Sequence, residues 1–174
     1  MVPCEENGRL QDPVLRENFV MRVFAYKDWQ NSCGTKLSAS SLQAFQRRHK
    51  YLLMAHSQAA YKKLGQVVAN AHQDLEASAQ EYITGFMQAL AKPANRKNHC
   101  NTLMHIQGYF KNDLTPDEKK ELSDCIRLYH EGFEPLMVPL AMLRLFTRKY
   151  PKEYIQEQSY LKPYPVDLKL RYAL

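Results

Sequence analysis

The sequence predicts an all-α chain, and three observations carry that expectation. No segment alternates apolar and polar residues at period two, the mark of a half-buried strand. Only 6 of 174 residues are glycine, too few for a turn-dense sandwich or barrel. Helix-start signals recur instead. The clearest is Thr115-Pro116-Asp117-Glu118, which combines an N-cap threonine, a proline at the first helical position and a glutamate at the third. A single compact domain of about eight helices over residues 13–174 is expected, behind an extended lead-in or interdomain junction over residues 1–12.

The lead-in (MVPCEENGRLQD) has no periodicity and carries Pro3 and Gly8. Asp12 before Pro13 starts a first helix, a capping carboxylate followed by a residue whose missing N–H costs nothing there. Leu15, Phe19, Val23 and Tyr26 recur at helical spacing to about Gln30, and Asn31–Lys36 reads as a loop. Ser40-Ser41-Leu42-Gln43 has capping-box spacing for a second helix to about His56. A third covers Gln58–Ala71 with Tyr61, Leu64, Val67, Val68 and Ala71 on one face. Leu75, Ala79, Tyr82, Ile83, Phe86 and Leu90 mark a fourth, stopped near Lys92-Pro93. Asn98 is placed to cap a fifth, to about Lys111. The sixth starts at Thr115, buries Leu122, Cys125, Ile126 and Tyr129, and stops at Gly132. Pro135 and Pro139 frame a short apolar helix to about Lys149. A last turn after Pro151 runs into Lys162-Pro163-Tyr164-Pro165, which cannot continue a helix.

Charge position says more than the formal net charge of +6. No acid occurs between Asp28 and Asp74, between Glu81 and Asp113, or between Glu134 and Glu153. Lys36, Arg47, Arg48, Lys50, Lys62 and Lys63 fill the first stretch, and Lys92, Arg96, Lys97 and Lys111 the second. Arg144, Arg148, Lys149 and Lys152 fill the third. These stretches hold +14 against −8 in the rest of the chain. Segregation on that scale is the electrostatic footprint of a polyanion partner if the stretches share a face. If they point apart, or pair with the acidic 113–134 segment, it is ordinary surface charge.

Two helices carry candidate site residues. At 100° per residue, Leu42, Phe45, Leu52 and Leu53 all lie within about 60° of His49, and His56 within about 20° of it. Histidines in an apolar stripe are either satisfied by neighbours or line a pocket, and His99 of the fifth helix is a third candidate for such a pocket. On that fifth helix Leu103, Ile106 and Phe110 form the buried stripe. Asn101, His105 and Tyr109 form a second one at i, i+4, i+8, an amide, an imidazole and a phenol suited to phosphates, base edges and stacking. Arg96, Lys97 and Asn98 at its start favour an anion.

Catalytic and metal signals are thin. GxSxG, Walker A, GxGxxG and HExxH patterns are absent from the sequence, and Cys4, Cys33, Cys100 and Cys125 are scattered without a CxxC, as isolated reduced thiols would be. The sequence assigns no catalytic residue, no metal ligand and no cofactor. No apolar run reaches the roughly 20 residues that span a bilayer, and Met1 heads no basic-then-apolar leader, so a cytoplasmic chain without membrane contact is expected.

The strings FVMRVFAYKDWQ, HKYLLMAHSQAAYKKLG, HCNTLMHIQGYFKNDLTPDEKKEL and EPLMVPLAML, with the closing QSYLKPYPVDLKLR, resemble the YbgA-like family, formerly a domain of unknown function, from about Leu15 to Arg171. The family-like positions are His49, Lys50, His56, Tyr61, Gly65, His99, Asn101, His105, Gly108, Tyr109 and Lys111. The lead-in is similar to the junction in two-domain members, where this domain follows an iron–sulfur desulfidase domain that removes sulfur from thiolated uracil or uridine in tRNA. The resemblance implies a module that holds RNA, tRNA above all, for such a partner in cis or in trans. It carries no desulfidase chemistry to this chain, which lacks the cluster cysteines. Gln46 and Leu145 stand where relatives often have histidine.

The function expected from the sequence is therefore RNA binding. Arg47, Lys50, Lys62, Lys63, Arg96, Lys97 and Lys111 would neutralise phosphates, while Asn101, His105 and Tyr109 would lie nearer sugar or base. The alternatives are a small-molecule enzyme or sensor using the His49, His56 and His99 pocket, and a protein-docking module.

Overall fold

Asp12 opens the first helix as its position requires. Its carboxylate accepts from the N–H groups of Val14 (2.8 Å) and Leu15 (3.0 Å), with Pro13 in the first turn. In the computed structural model, which describes residues 2–170, the helices are α1 (Pro13–Trp29), α2 (Ala39–His56), α3 (Gln58–Ala69) and α4 (Leu75–Leu90). Then come α5 (Arg96–Gln107), α6 (Pro116–Glu131), α7 (Met137–Lys149) and α8 (Glu153–Gln156). No strand occurs among the described residues, and the chain is all-α. None of these helices is long and apolar enough to cross a membrane. Arg171, which closes the last family-like string, lies outside the described residues.

The chain divides into two compact units, Met1–Ala94 with Gln158–Leu174, and Asn95–Glu157. The first holds α1 to α4. Its aromatic centre is Trp29, Phe45, Tyr82 and Phe86, with Phe45 edge-on to Trp29 at 5.0 Å and to Phe86 at 5.3 Å. α3 lies close on α4 because Gly85 has no side chain: a Cβ there would sit 2.9 Å from Leu64 Cδ2. The lead-in packs on α1 through a 3-10 turn at Arg9–Gln11, and its Glu5 carboxylate meets Arg9 at 2.7 Å and the buried Arg22 at 3.9 Å.

The second unit packs α5, α6 and α7 together. It buries Leu103, Ile106, Leu122, Ile126, Leu140 and Leu143. Thr115 and Glu118 close the expected capping box on α6. Gly132 ends the helix at φ +90°, a backbone state that disfavours any side chain.

Several local expectations are corrected. The segment expected as a loop after α1 is a π-turn, Gln30–Gly34, in which Ser32 Oγ donates to the Asp28 carbonyl (2.6 Å). The α2 box uses Ser38 and Ser41 instead of Ser40 and Gln43. Asn95, not Asn98, caps α5, its side chain accepting from Asn98 N at 2.9 Å. α3 stops at Ala69, ahead of the expected Ala71, and after Gln107 the chain tightens into a 3-10 turn at Gly108–Phe110. On α1 the buried face is Asn18, Met21, Arg22, Ala25 and Trp29, while Val23 is exposed. Polar Asn18 is admitted because its amide donates to the Leu90 carbonyl (3.1 Å).

Candidate functional site

His49 leaves the apolar face of α2 fully engaged. Its ring lies 4.3 Å from that of Phe45 and is edge-on to Phe86 at 5.5 Å, with only 2% of the residue exposed. Nε2 is 2.7 Å from Asp28 Oδ2, and Nδ1 is 2.8 Å from Ser159 Oγ. Arg48 Nη1 grips the same carboxylate at 2.6 and 2.8 Å. Burial lowers the His49 pKa, and the bond to Asp28 offsets this only in part. Burial raises Asp28, but His49 and Arg48 together outweigh it and hold the carboxyl below its ordinary range. The state that fits is a neutral imidazole donating from Nε2 to an ionised Asp28 and accepting the Ser159 hydroxyl proton at Nδ1. Chemically, such a chain can draw a proton from Ser159 and stabilise the resulting imidazolium.

His56 answers to different groups. Its Nδ1 donates to the Lys92 carbonyl at 2.8 Å, and burial pushes its pKa down to about 4, with Arg22 adding to the effect and the carbonyl opposing it. The two histidines thus share the α2 stripe, one held by Asp28 and Ser159 and the other by the Lys92 carbonyl. His99 belongs to the second unit, where its ring is edge-on to Tyr129 at 6.2 Å. Asp28 and Ser159 were not visible as site residues in the sequence. They lie 21 positions before and 110 after His49, and no local spacing links them.

The second unit holds Lys97, Asn101, His105 and Tyr109. With α5 beginning at Arg96, Lys97 falls in its first turn and joins Asn101, His105 and Tyr109 at four-residue intervals. Lys97, His105 and Tyr109 are exposed and Asn101 is half-buried. Tyr109 and Tyr154 set their rings 5.4 Å apart, and the exposed Lys111 follows in the next turn. Arg96 is committed otherwise: Nη1 donates to the Tyr129 carbonyl at 2.7 Å, and its guanidinium sits 4.9 Å over the Tyr129 ring. Burial pushes the Tyr129 hydroxyl up to about 12 despite the opposing charge of Arg96.

Beside this stripe a half-open cleft of about 270 Å³ runs between α5 and α6. Cys100, Met104 and Gln107 line it from α5, and Ser123, Ile126, Arg127 and His130 from α6. Nothing in the sequence marked it, because its walls come from two helices with ordinary residues at ordinary spacing.

The segregated charge is partly neutralised. Among the described residues, cations of the acid-free stretches pair with acids outside them: Arg48 with Asp28, Lys63 with Glu81 (3.1 Å), Lys149 with Glu118 (2.7 Å) and Lys152 with Asp113 (2.9 Å). In the first unit the Lys50 ammonium lies 5.4 Å from the Tyr51 ring and 5.9 Å from the Tyr61 ring. Arg47 and Lys62 are exposed. Among the described residues no three His, Cys, Asp or Glu side chains converge to hold a metal ion, and the four cysteines are free thiols.

Residues 50–165 match the family described as "Protein of unknown function (DUF1722)". The chain belongs to the DUF1722 family. It is also 31% identical over 159 residues to "Uncharacterized protein YbgA" of Escherichia coli (strain K12), covering 90% of this chain and 94% of that protein. No solved structure matches. In this DUF1722 chain Gln46 and Leu145 sit in different settings. Gln46 packs at Gly65, where its Nε2 would lie 3.6 Å from a Cβ, and Leu145 is 50% exposed on α7.

Proposed function

We propose that this chain is an RNA-binding module, with tRNA as its ligand, acting in the cytoplasm beside an iron–sulfur desulfidase domain in cis or in trans. The observation that carries the proposal is the stripe Lys97, Asn101 and His105 on one side of α5, continued by Tyr109 in the 3-10 turn that follows, by Lys111 and by the Tyr109–Tyr154 ring pair. It joins cations for phosphate, an amide and an imidazole for sugar or base edges, and aromatic faces for stacking. In the first unit Arg47, Lys50 and Lys62 are a second set of candidate phosphate contacts, with Lys63 shared with Glu81. Resemblance to a domain fused with tRNA-acting enzymes supports the same ligand class.

Titration of the full chain with tRNA at rising salt tests it. The logarithm of the affinity should fall with the logarithm of salt at about −0.7 to −0.9 per phosphate contact. Lys97→Ala with Lys111→Ala should flatten the slope by about two contacts' worth. Absence of tRNA binding at low salt, or an unchanged slope in the double variant, overturns the proposal.

A second reading rests on the Ser159 Oγ to His49 Nδ1 contact of 2.8 Å, which suits Ser159 as a nucleophile in acyl transfer. A fluorophosphonate probe should then label Ser159 in the native chain and not in His49→Gln. No label on Ser159 removes this reading.

A further inference from the structure

We infer that the cleft between α5 and α6 receives one unstacked nucleobase of the bound RNA strand, an inference that rests on the RNA-binding proposal. Size is the first ground. Pockets for drug-sized ligands span roughly 300–1,000 Å³, and a cleft of about 270 Å³, just below that range, suits a single flat heterocycle.

The lining is the second ground. Ile126 and Met104 are apolar, and the thioether of Met104 is a favoured neighbour for a ring. Gln107 offers an edge-reading acceptor. Its Nε2 donates to Ser123 Oγ (2.9 Å) and to the Lys119 carbonyl (3.4 Å). That orients the amide and leaves its Oε1 for an imide N–H or an exocyclic amine of a base. Ser123 Oγ itself donates to the Lys119 carbonyl at 2.8 Å, so the wall is braced. Arg127 is held by Asp124 (3.5 Å) and Glu131 (3.0 Å), which makes it part of the wall and not a phosphate clamp.

Position is the third ground. Around the α5 axis Met104 lies about 20° from Lys97 and about 60° from Asn101. The cleft therefore shares an edge with the stripe. A strand with its phosphates along that stripe has a base within reach of the cleft, and Met104, 61% exposed, stands at the rim. Extruding a base into a pocket read by edge hydrogen bonds and apolar faces is a known way for proteins to recognise nucleic acid.

The test compares two single-stranded probes of equal length, an oligouridylate and the same backbone with abasic sites. Both keep the phosphates and only one offers bases. The full chain should bind the uridylate about tenfold more tightly, the worth of one stacked base. Ser123→Trp, which fills the cleft from an exposed position, and Gln107→Leu should each cut that preference, leaving only what the Tyr109–Tyr154 faces supply, while still binding the abasic probe with the native salt slope. An undiminished preference in both variants, or equal binding of the two probes by the native chain, overturns the base pocket and leaves the phosphate contacts of the stripe standing. Failure of the native chain to bind either probe or tRNA overturns both.

Discussion

Asp28 Oδ2 lies 2.7 Å from His49 Nε2, and the carboxylate that makes this contact is also held at both oxygens by Arg48. The last acid before a long acid-free stretch is thus spent inside the fold of the first unit. One carboxylate balances a guanidinium and fixes a buried imidazole, and that imidazole in turn holds Ser159.

Asp28→Asn keeps the shape but removes the charge that Arg48 and His49 answer to. Hydrogen bonds to charged groups contribute about 1.5–3 kcal/mol, so the loss should be about 2 kcal/mol in urea denaturation. Ser159→Ala removes one neutral bond and should cost about 1 kcal/mol. A cost near zero for Asp28→Asn would show that the pair holds nothing together.

His56 makes stability depend on pH. Its folded pKa of about 4 lies below the unfolded value near 6.5. Between those values the unfolded chain binds a proton that the folded chain refuses, so stability should fall as pH drops from about 6.5 toward about 4. His49, also lowered by burial, adds to the same slope. His56→Asn preserves a donor for the Lys92 carbonyl and removes the titration. Its stability should vary less with pH across that window, and an unchanged profile would place the dependence elsewhere.

Much of this was legible in the sequence, and the parts that were not share a cause. Asp12, Thr115 and Gly132 announced helix ends because caps act within four residues of chain. The positions of Asn101 and His105 could be read because one helix fixes their spacing, while the 3-10 turn that carries Tyr109 could not. Asn95 and Asn98 are both competent caps in sequence; the structure uses Asn95, and Arg96 in the turn it opens is tied to the Tyr129 carbonyl by a tertiary bond. Asp28 with His49 and Ser159, like the α5–α6 cleft, depends on tertiary approach, to which one-dimensional periodicity is blind. The charge arithmetic located the basic stretches but not their partners: Lys149 and Lys152 meet Glu118 and Asp113 across tens of residues.

Gly85→Ala separates helix propensity from packing. In a free helix the change would gain up to about 1 kcal/mol. Here the new Cβ would sit 2.9 Å from Leu64 Cδ2, and Leu64 is itself buried in the core of the first unit. Overpacking of this kind costs about 1–3 kcal/mol, so the variant should be destabilised. A raised melting temperature would mean that Leu64 has room to move.

Arg96 and Lys97 are sequence neighbours with different tasks. Arg96 donates to the Tyr129 carbonyl and covers its ring, joining the first turn of α5 to the end of α6. Lys97 is exposed and begins the polar stripe. Arg96→Ala should therefore cost about 1–2 kcal/mol of stability through the lost charged hydrogen bond and cation–π contact. It should leave the salt slope of tRNA binding as it was. Lys97→Ala should do the reverse, with stability held within about 0.5 kcal/mol and the slope reduced by about 0.7–0.9. Denaturation and salt titration of the two variants side by side check the division. A slope reduced equally in both would put Arg96 on the phosphates as well.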